Sequence, residues 1–460
     1  MSSVGRRLFL LEVRALLGQP LVIAVHALLF AAMLVGAANG AARVARDRAL
    51  LGNVMAEEAG AVSAAKAASV RYAKPSPLAI EYHRDPTDAF GYMNYFLVTH
   101  AVKPPLPLAA LATGQGDLQP ARIRIDFNTV FPDAAYDRGN PRMLKLGEFD
   151  LLFVLLYLVP LGLIALGATR LTGEQDSGVL RMIAAQPVTL WTVAFAKAGA
   201  LAAISLLAIV GGMLVALSFA GALGGLLVLG VALLVAMWVL FWVALSVLVP
   251  TMVALAIATA LPAPSRIAYI DASREAMDGF YREEAKVYTG WIARFPQYAD
   301  RAPEMIKSPE VKRFARDAFY RHALLPERDA FAARSAEVGR AVELSRLLSP
   351  AMMLDGAMQA AAGTDVERHI AFVAAADAYS ERLRRWFEPL ALANAAEPRR
   401  LCAACPGRRN FNRYDDVPRF APAMETDRGV RWIGFGILYL AAAAAFLAAW
   451  AERRLRAWPV

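Results

Sequence analysis

Cysteine, histidine and the short signatures of catalysis are scarce in this chain, and each scarcity removes a class of chemistry. The two cysteines, Cys402 and Cys405, sit together in the run 401–406, LCAACP. A structural zinc site takes four ligands, and no second CxxC or close histidine pair accompanies this one. The pair therefore reads as structural or incidental, with a redox couple as the alternative, or a local disulfide if its segment faces an oxidising compartment. The five histidines, His26, His83, His100, His322 and His369, are scattered along the chain. No GxSxG elbow occurs, and the stretch 114–117 (GQGD) lacks the GxxxxGK[ST] spacing that cradles phosphates. An ATP-binding loop is not part of this sequence.

Charge is the other scarce commodity, and its distribution is informative. From 198 to 265 there is no Asp, Glu, Lys or Arg at all. Apolar stretches at 21–38, 149–168, 192–219, 223–261 and 432–450 alternate with one short charged loop and two long polar segments. About 20 apolar residues span a bilayer as a helix, because lipid leaves exposed backbone N–H and C=O groups unsatisfied. With 58% hydrophobic residues and a mean hydropathy of +0.41, the chain is too apolar for a soluble protein of 460 residues. The net charge of +9 does not indicate a nucleic-acid partner, since such a protein would not carry this much lipid-phase sequence. In a membrane protein, Lys and Arg report orientation and contact with membrane lipid.

The number of spans follows from length and charge. The uncharged run would extend roughly 100 Å as helix, about three crossings of a 30 Å core with very tight turns. Pro250 is the visible break between a fourth and a fifth crossing, and two long crossings fit as well. Arg6, Arg7, Arg14, Arg170, Arg181, Lys197, Arg453, Arg454 and Arg456 all face the cytoplasm only if the number of spans is even. Arg43, Arg46 and Arg48 then lie just outside the first span, at the head of a long segment that translocates largely regardless of charge. The expected fold is an α-helical polytopic membrane protein with about six transmembrane helices, five being the alternative.

The expected organisation has five parts. Residues 1–41 form an interfacial helix and the first span, with Pro20 as the joint and Asn39–Gly40 marking the span's end. The twin arginines Arg6 and Arg7 resemble an export signal, but Glu12 and Arg14 interrupt the approach to the apolar run. Residues 42–148 form a small α+β extracytoplasmic domain, with an Ala-rich helix over 43–68 and a strand over 122–127, where alternation has period two. Residues 149–262 are the membrane core, where Pro160 predicts a kink and Thr192 opens the third span. Residues 263–431 form a mainly helical extracytoplasmic domain, with helices expected over 274–295, 309–325, 329–348 and 365–387 and a loop over 397–413. Residues 432–460 supply the last span and a basic cytoplasmic tail. His26, ionisable and inside a span, is either functional or a hydrogen-bonding partner for a neighbouring helix.

The short charged loop, 170–191, carries the most specific pattern. Glu174, Gln175 and Asp176 lead through Gly178 into a short amphipathic helix, 179–185, ended by Pro187. A stub of this kind, joined rigidly to two spans, suits docking on a soluble partner; the bland alternative is an ordinary loop.

In this loop the sequence resembles the type-2 ABC exporter permeases, whose second and third spans are joined by E-x-x-x-G-x-L-x-x-x-x-x-x-P-V. The matching positions are Glu174, Gly178, Leu180, Pro187 and Val188, with Lys197 as the basic residue early in the third span. The stretch 9–17, including Glu12 and Arg14, is similar to that family's interfacial connecting helix. Further likeness, to a subgroup with two large extracytoplasmic insertions similar to the permease of copper-enzyme maturation systems, rests on 107–118, 149–160, 264–266, Ser349, Pro350, Leu354, Arg368, His369 and 414–420. One departure is that family members have a polar cytoplasmic turn and a full fifth span where this chain runs 245–252, a shortfall of roughly 20–25 residues, about one membrane crossing.

The resemblance implies a dimer of permease subunits, homo- or heteromeric, working with a separate ABC ATP-binding subunit that holds ATP and Mg. It implies no cofactor in this chain and a place in the bacterial inner membrane. Glu174, Gln175, Asp176, Gly178, Val179, Leu180 and Pro187 would contact the ATPase. Two rivals predict other behaviour: a membrane-anchored sensor or assembly factor without transport, and a polytopic membrane enzyme with a titratable cluster at the membrane surface.

Overall fold

The computed structural model describes residues 3–71, 82–106, 108–114, 119–127, 129–132, 149–167, 182, 186, 188–219, 249–261, 266–396 and 411–422, with isolated positions between 434 and 453. The chain opens with helix α1 (Ser3–Leu17) and, after a two-residue joint, helix α2 (Pro20–Arg71). Proline suits the first turn of α2, where its missing N–H has no intrahelical partner anyway.

Asn39–Gly40, expected to mark the end of the first span, does not end the helix. Helix α2 runs on without interruption for 52 residues, taking in the Ala-rich stretch. Both polar-looking signals have packing roles instead. The Asn39 side-chain amide donates to the Phe149 carbonyl at 2.9 Å. A Cβ on Gly40 would sit 1.9 Å from the Ala110 carbonyl oxygen, so only glycine admits this backbone contact. One turn earlier, Gly36 meets the backbone of Asp150 and Leu151 in the same way.

Helix α3 (Leu151–Gly167) begins at Asp150, whose carboxylate accepts from the Phe153 N–H at 2.7 Å. Its middle, Val154–Leu158, is wound as a π-turn, with the Val159 N–H reaching the Val154 carbonyl. Pro160 offers no N–H to the turn below it, and the widened turn takes up that loss. Helix α4 (Leu190–Phe219) follows, then α5 (Val249–Ala260). Among the described residues, α2 and α4 are long and apolar enough to cross a membrane, and α3 is a shorter apolar helix. They pack through Leu29, Met33, Ala37, Leu155, Val159, Ile209 and Met213. The region 220–248, most of 432–450, where a last span is expected, and Cys402 and Cys405 lie outside the described residues.

The polar segments share one core. Strands β1 (His100–Val102) and β2 (Arg122–Arg124) pair antiparallel, with Ala101 opposite Ile123. The strand expected over 122–127 is thus half as long, and Ile125 and Phe127 go into the core as loop residues. Helices α6 (Arg266–Ile292) and α7 (Pro309–Ser345) form a hairpin, followed by α8 (Pro350–Ala362) and α9 (Val366–Ala396). Phe90, Tyr92, Ile123 and Phe127 from the first segment interleave with Phe280, Phe314, Tyr379, Phe387 and Tyr414 from the second. Aromatic pairs such as Tyr92–Tyr414, with centroids 5.0 Å apart, fill the centre.

Two helix expectations need correction. The helices expected over 309–325 and 329–348 are one, α7, continuous through Pro326. Packing holds both sides of the proline: Leu324 is buried against Phe131 and Ala276, and Arg328 lies 4.3 Å over the Phe131 ring. Helix α8 has no counterpart in the expected organisation. Its Ala- and Met-rich sequence lacks a charged face because α8 is packed against α3, through Leu354 and Met358.

Candidate coupling site

The loop 170–191, expected to face the cytoplasm, is flanked by α3 and α4, and α1 packs beside them. Helix α1 lies along α4, with Leu16 and Val22 packed on Leu166 and Ala200, and Phe9, Val13 and Ile204 around them. Inside this apolar seam the Glu12 carboxylate accepts from the Lys197 ammonium at 2.5 Å. Their side chains are 20% and 8% exposed, so neither charge is well hydrated and each requires the other. Arg14 is exposed in the last turn of α1, where a cation complements the helix C-terminus.

The same seam ties the two ends of the loop together. Leu166, on the last turn of α3, shares the cluster with Ala200 of α4. At the start of α4 the Thr189 hydroxyl accepts from the Thr192 N–H at 3.3 Å. The helices on either side of 168–189, α3 and α4, are thus packed with α1 in one cluster. Glu174, Gln175, Asp176, Gly178, Val179, Leu180 and Pro187 lie outside the described residues; within the loop, Met182 and Gln186 are described and exposed.

His26 sits one turn up this bundle. Its Nδ1 is 2.7 Å from the Val22 carbonyl and its Nε2 is 2.9 Å from the Ser205 hydroxyl. With Nδ1–H donating to Val22, the hydroxyl donates to Nε2, and the imidazole joins α2 to α4. The interhelical bond uses Nε2, while Nδ1 is bonded within α2 to Val22.

A second assembly sits where the membrane helices meet the polar unit, and it gathers residues far apart in sequence. Asp150 also accepts from the Thr113 N–H at 2.7 Å, and the Leu152 N–H donates to the Leu111 carbonyl, which fastens the turn 108–114 to the head of α3. From the other side, the Thr364 hydroxyl donates to the Ala112 carbonyl at 3.2 Å. Gly363 takes the left-handed conformation (φ +68°) that ends α8. Arg368 donates to the Gly363 carbonyl at 2.9 Å and to the Pro104 carbonyl at 2.6 Å. Lys103 reaches Gln119 at 3.1 Å; burial, reinforced by Arg368, lowers its pKa to about 8. Burial and the Lys103 charge lower His369 to about 4. The stretch 414–420 closes the polar core, with the Tyr414 hydroxyl donating to the Pro86 carbonyl at 3.0 Å and the Tyr379 hydroxyl to that of Pro418 at 2.9 Å.

Among the described residues no group of three or more His, Cys, Asp or Glu is placed to hold a metal ion. The described residues instead join helices and loops through Glu12–Lys197, His26–Ser205 and Asp150–Thr113. A family model described as ABC-2 family transporter protein matches residues 8–271, more than half of the sequence. The chain belongs to the ABC-2 transporter family. It is a permease subunit of an ABC transporter, a membrane transport protein rather than an enzyme, and the family implies an ABC ATP-binding partner in general. Residues 266–397 match a second model, a domain of unknown function (DUF3526), covering α6 to α9. No curated protein and no solved structure gives a significant match.

Sequence reasoning named Glu12 and Lys197 separately and missed their pairing. The signal was present: Glu12 is the one acid of α1, and Lys197 the one charge of α4. The joint formed by Thr113, Asp150 and Thr364 had no such signal, since its contacts are largely to backbone.

Proposed function

We propose that this permease is the transmembrane subunit of an ATP-driven exporter in the bacterial inner membrane, and that the segment 174–187 is its coupling helix. Two permease subunits, alike or different, work with a separate ATP-binding subunit that carries ATP and Mg. Closure of the nucleotide-bound pair pushes on Val179 and Leu180, lodged in a groove of that subunit, while Glu174, Gln175 and Asp176 orient the contact. Gly178 makes the turn into the stub, and Pro187 ends it. Six spans place the segments 42–148 and 263–431 outside the cytoplasm, where they receive or guide cargo. The kinship with permeases of copper-enzyme maturation systems belongs to this proposal as well.

The observation that supports the reading beyond family membership is the Glu12–Lys197 joint. It fastens the interfacial helix to the helix that leaves the loop, so a push on the loop is delivered to a two-state helix bundle rather than absorbed. The test replaces Val179 and Leu180 by aspartate in the full chain, co-expressed with its ATP-binding subunit. Association should be lost while membrane insertion stays normal. Undiminished association would overturn the coupling role, and a chain that purifies with no ATPase at all would favour the sensor or assembly factor.

A further inference from the structure

Helix α2 is a single element of 52 residues. At 1.5 Å per residue it is about 78 Å long, and a bilayer core takes about 30 Å of that. The remainder runs into the polar unit without a change of element. Three sets of contacts are distributed along it. In the membrane half, His26 bonds Ser205 at 2.9 Å, and Gly212 of α4 packs on Met33 and Phe30. At the middle, Gly36 and Gly40 rest directly on the backbones of Asp150 and Ala110. In the far half, the Glu58 carboxylate accepts from the His100 N–H at 2.7 Å and lies 3.2 Å from its Nδ1. Lys66 donates to both oxygens of Asp415, at 2.8 and 2.6 Å, and Ala65 is part of the polar core.

Between the middle and far contacts the helix is mostly exposed among the described residues, although Asp47 acts on the charge of Lys103. From 45 to 57 only Val54 is buried; a Cβ on Gly52 would meet nothing within 4 Å, and Met55 is 73% exposed. A load passing between the two halves is therefore carried by the α2 backbone and its hydrogen bonds.

We propose that α2 is a rigid relay: tilting of the first span is carried undivided into the polar unit, with the backbone contacts at Gly36 and Gly40 as the pivot. The short arm is the half paired with α4, and the long arm ends on β1 and on the 411–422 segment. The relay rests on the proposed function only for the source of the movement; its stiffness does not depend on that reading.

The test uses the full chain in lipid nanodiscs, with Cys402→Ser and Cys405→Ser, and spin labels at Leu28→Cys and Met55→Cys, both well exposed in the native helix. Twenty-seven residues of unbroken helix give one narrow separation of about 40 Å; a broad or two-peaked distribution would overturn the relay. Asn53→Pro, on the open stretch, should broaden that distribution, with Asn53→Gly/Ala56→Gly taking its place if the proline variant does not accumulate. A second label pair, Leu207→Cys and Val70→Cys, reads movement of the long arm against α4. Adding the ATP-loaded subunit should shift this distance in the unbroken chain and leave it within error in the broken one. An equal shift in both would overturn the relay. No shift in either, beside a narrow Leu28–Met55 separation, would overturn the ATP-driven reading and leave the stiff helix supported.

Discussion

Lys197 is the last charge before a long uncharged run, and its value to the protein lies in being paired. Removing one partner of a poorly hydrated ion pair leaves the other charge stranded, which costs more than the pair contributes. Lys197→Met should lower stability by about 3 kcal/mol, and Glu12→Leu on top of it should recover most of that loss. Thermal unfolding in detergent of both single variants and the double variant measures these effects; an additive double variant would show that the pair is not coupled. His369 gives a pH signature at the same scale. Its folded pKa of about 4 lies below the ordinary 6.5, so the unfolded chain takes up the proton first as pH falls. The stabilisation from the neutral ring is complete above about 6.5 and is lost as pH falls towards 4. His369→Gln should flatten the decline of the melting temperature across that window, with no change in slope above pH 7. Glu12 and Lys197 were visible in the sequence as a lone acid and a lone base on two apolar helices. Neither His369's burial nor Lys103's approach to it was visible, because both arise from the packing of a loop on α9.

At the scale of elements, proline and glycine mark positions where helix and context compete. Pro326 removes one hydrogen bond from α7 and crowds the turn before it, yet the helix continues because α6 and the Phe131 loop hold both of its halves. Pro326→Ala should therefore stabilise the protein by about 1–3 kcal/mol, read as a rise in melting temperature; a fall would mean that the bend itself is required for packing. Asn39–Gly40 is the converse case. The pair reads as a stop signal, and the structure uses it as a contact surface for the backbones at 110 and 149. Helix periodicity was legible for α6, α7 and α9, each of which sets charges against one apolar face. Helix α8 was not, since an element covered by a membrane-facing helix has no polar face to reveal it.

For the whole molecule, the decisive question is sidedness. Reporters of periplasmic and cytoplasmic location fused after Ala263 and after Val460 should report opposite sides: outside at the first, cytoplasmic at the second. Cytoplasmic location at Ala263 would overturn the six-span reading, and α6 to α9 would carry the first polar segment with them to the inside of the cell. The two polar segments stand or fall together in this test. They share one core around Tyr92, Phe314, Phe387 and Tyr414, and one cannot lie across the bilayer from the other.

The sequence by itself determined the solvent of each segment. Long uncharged runs can be buried only in lipid or protein, charged segments only in water, and the pattern 174–188 marks the family, now borne out over residues 8–271. These are properties of composition and local spacing, and they survive without knowledge of any contact. Which segments join was decided by the tertiary structure alone. That α2 does not stop, that two polar segments make one core, and that Glu12 meets Lys197 across 185 positions all depend on close approach between residues remote in the chain. Hydropathy fixes a residue's preferred surroundings; only packing selects its neighbour.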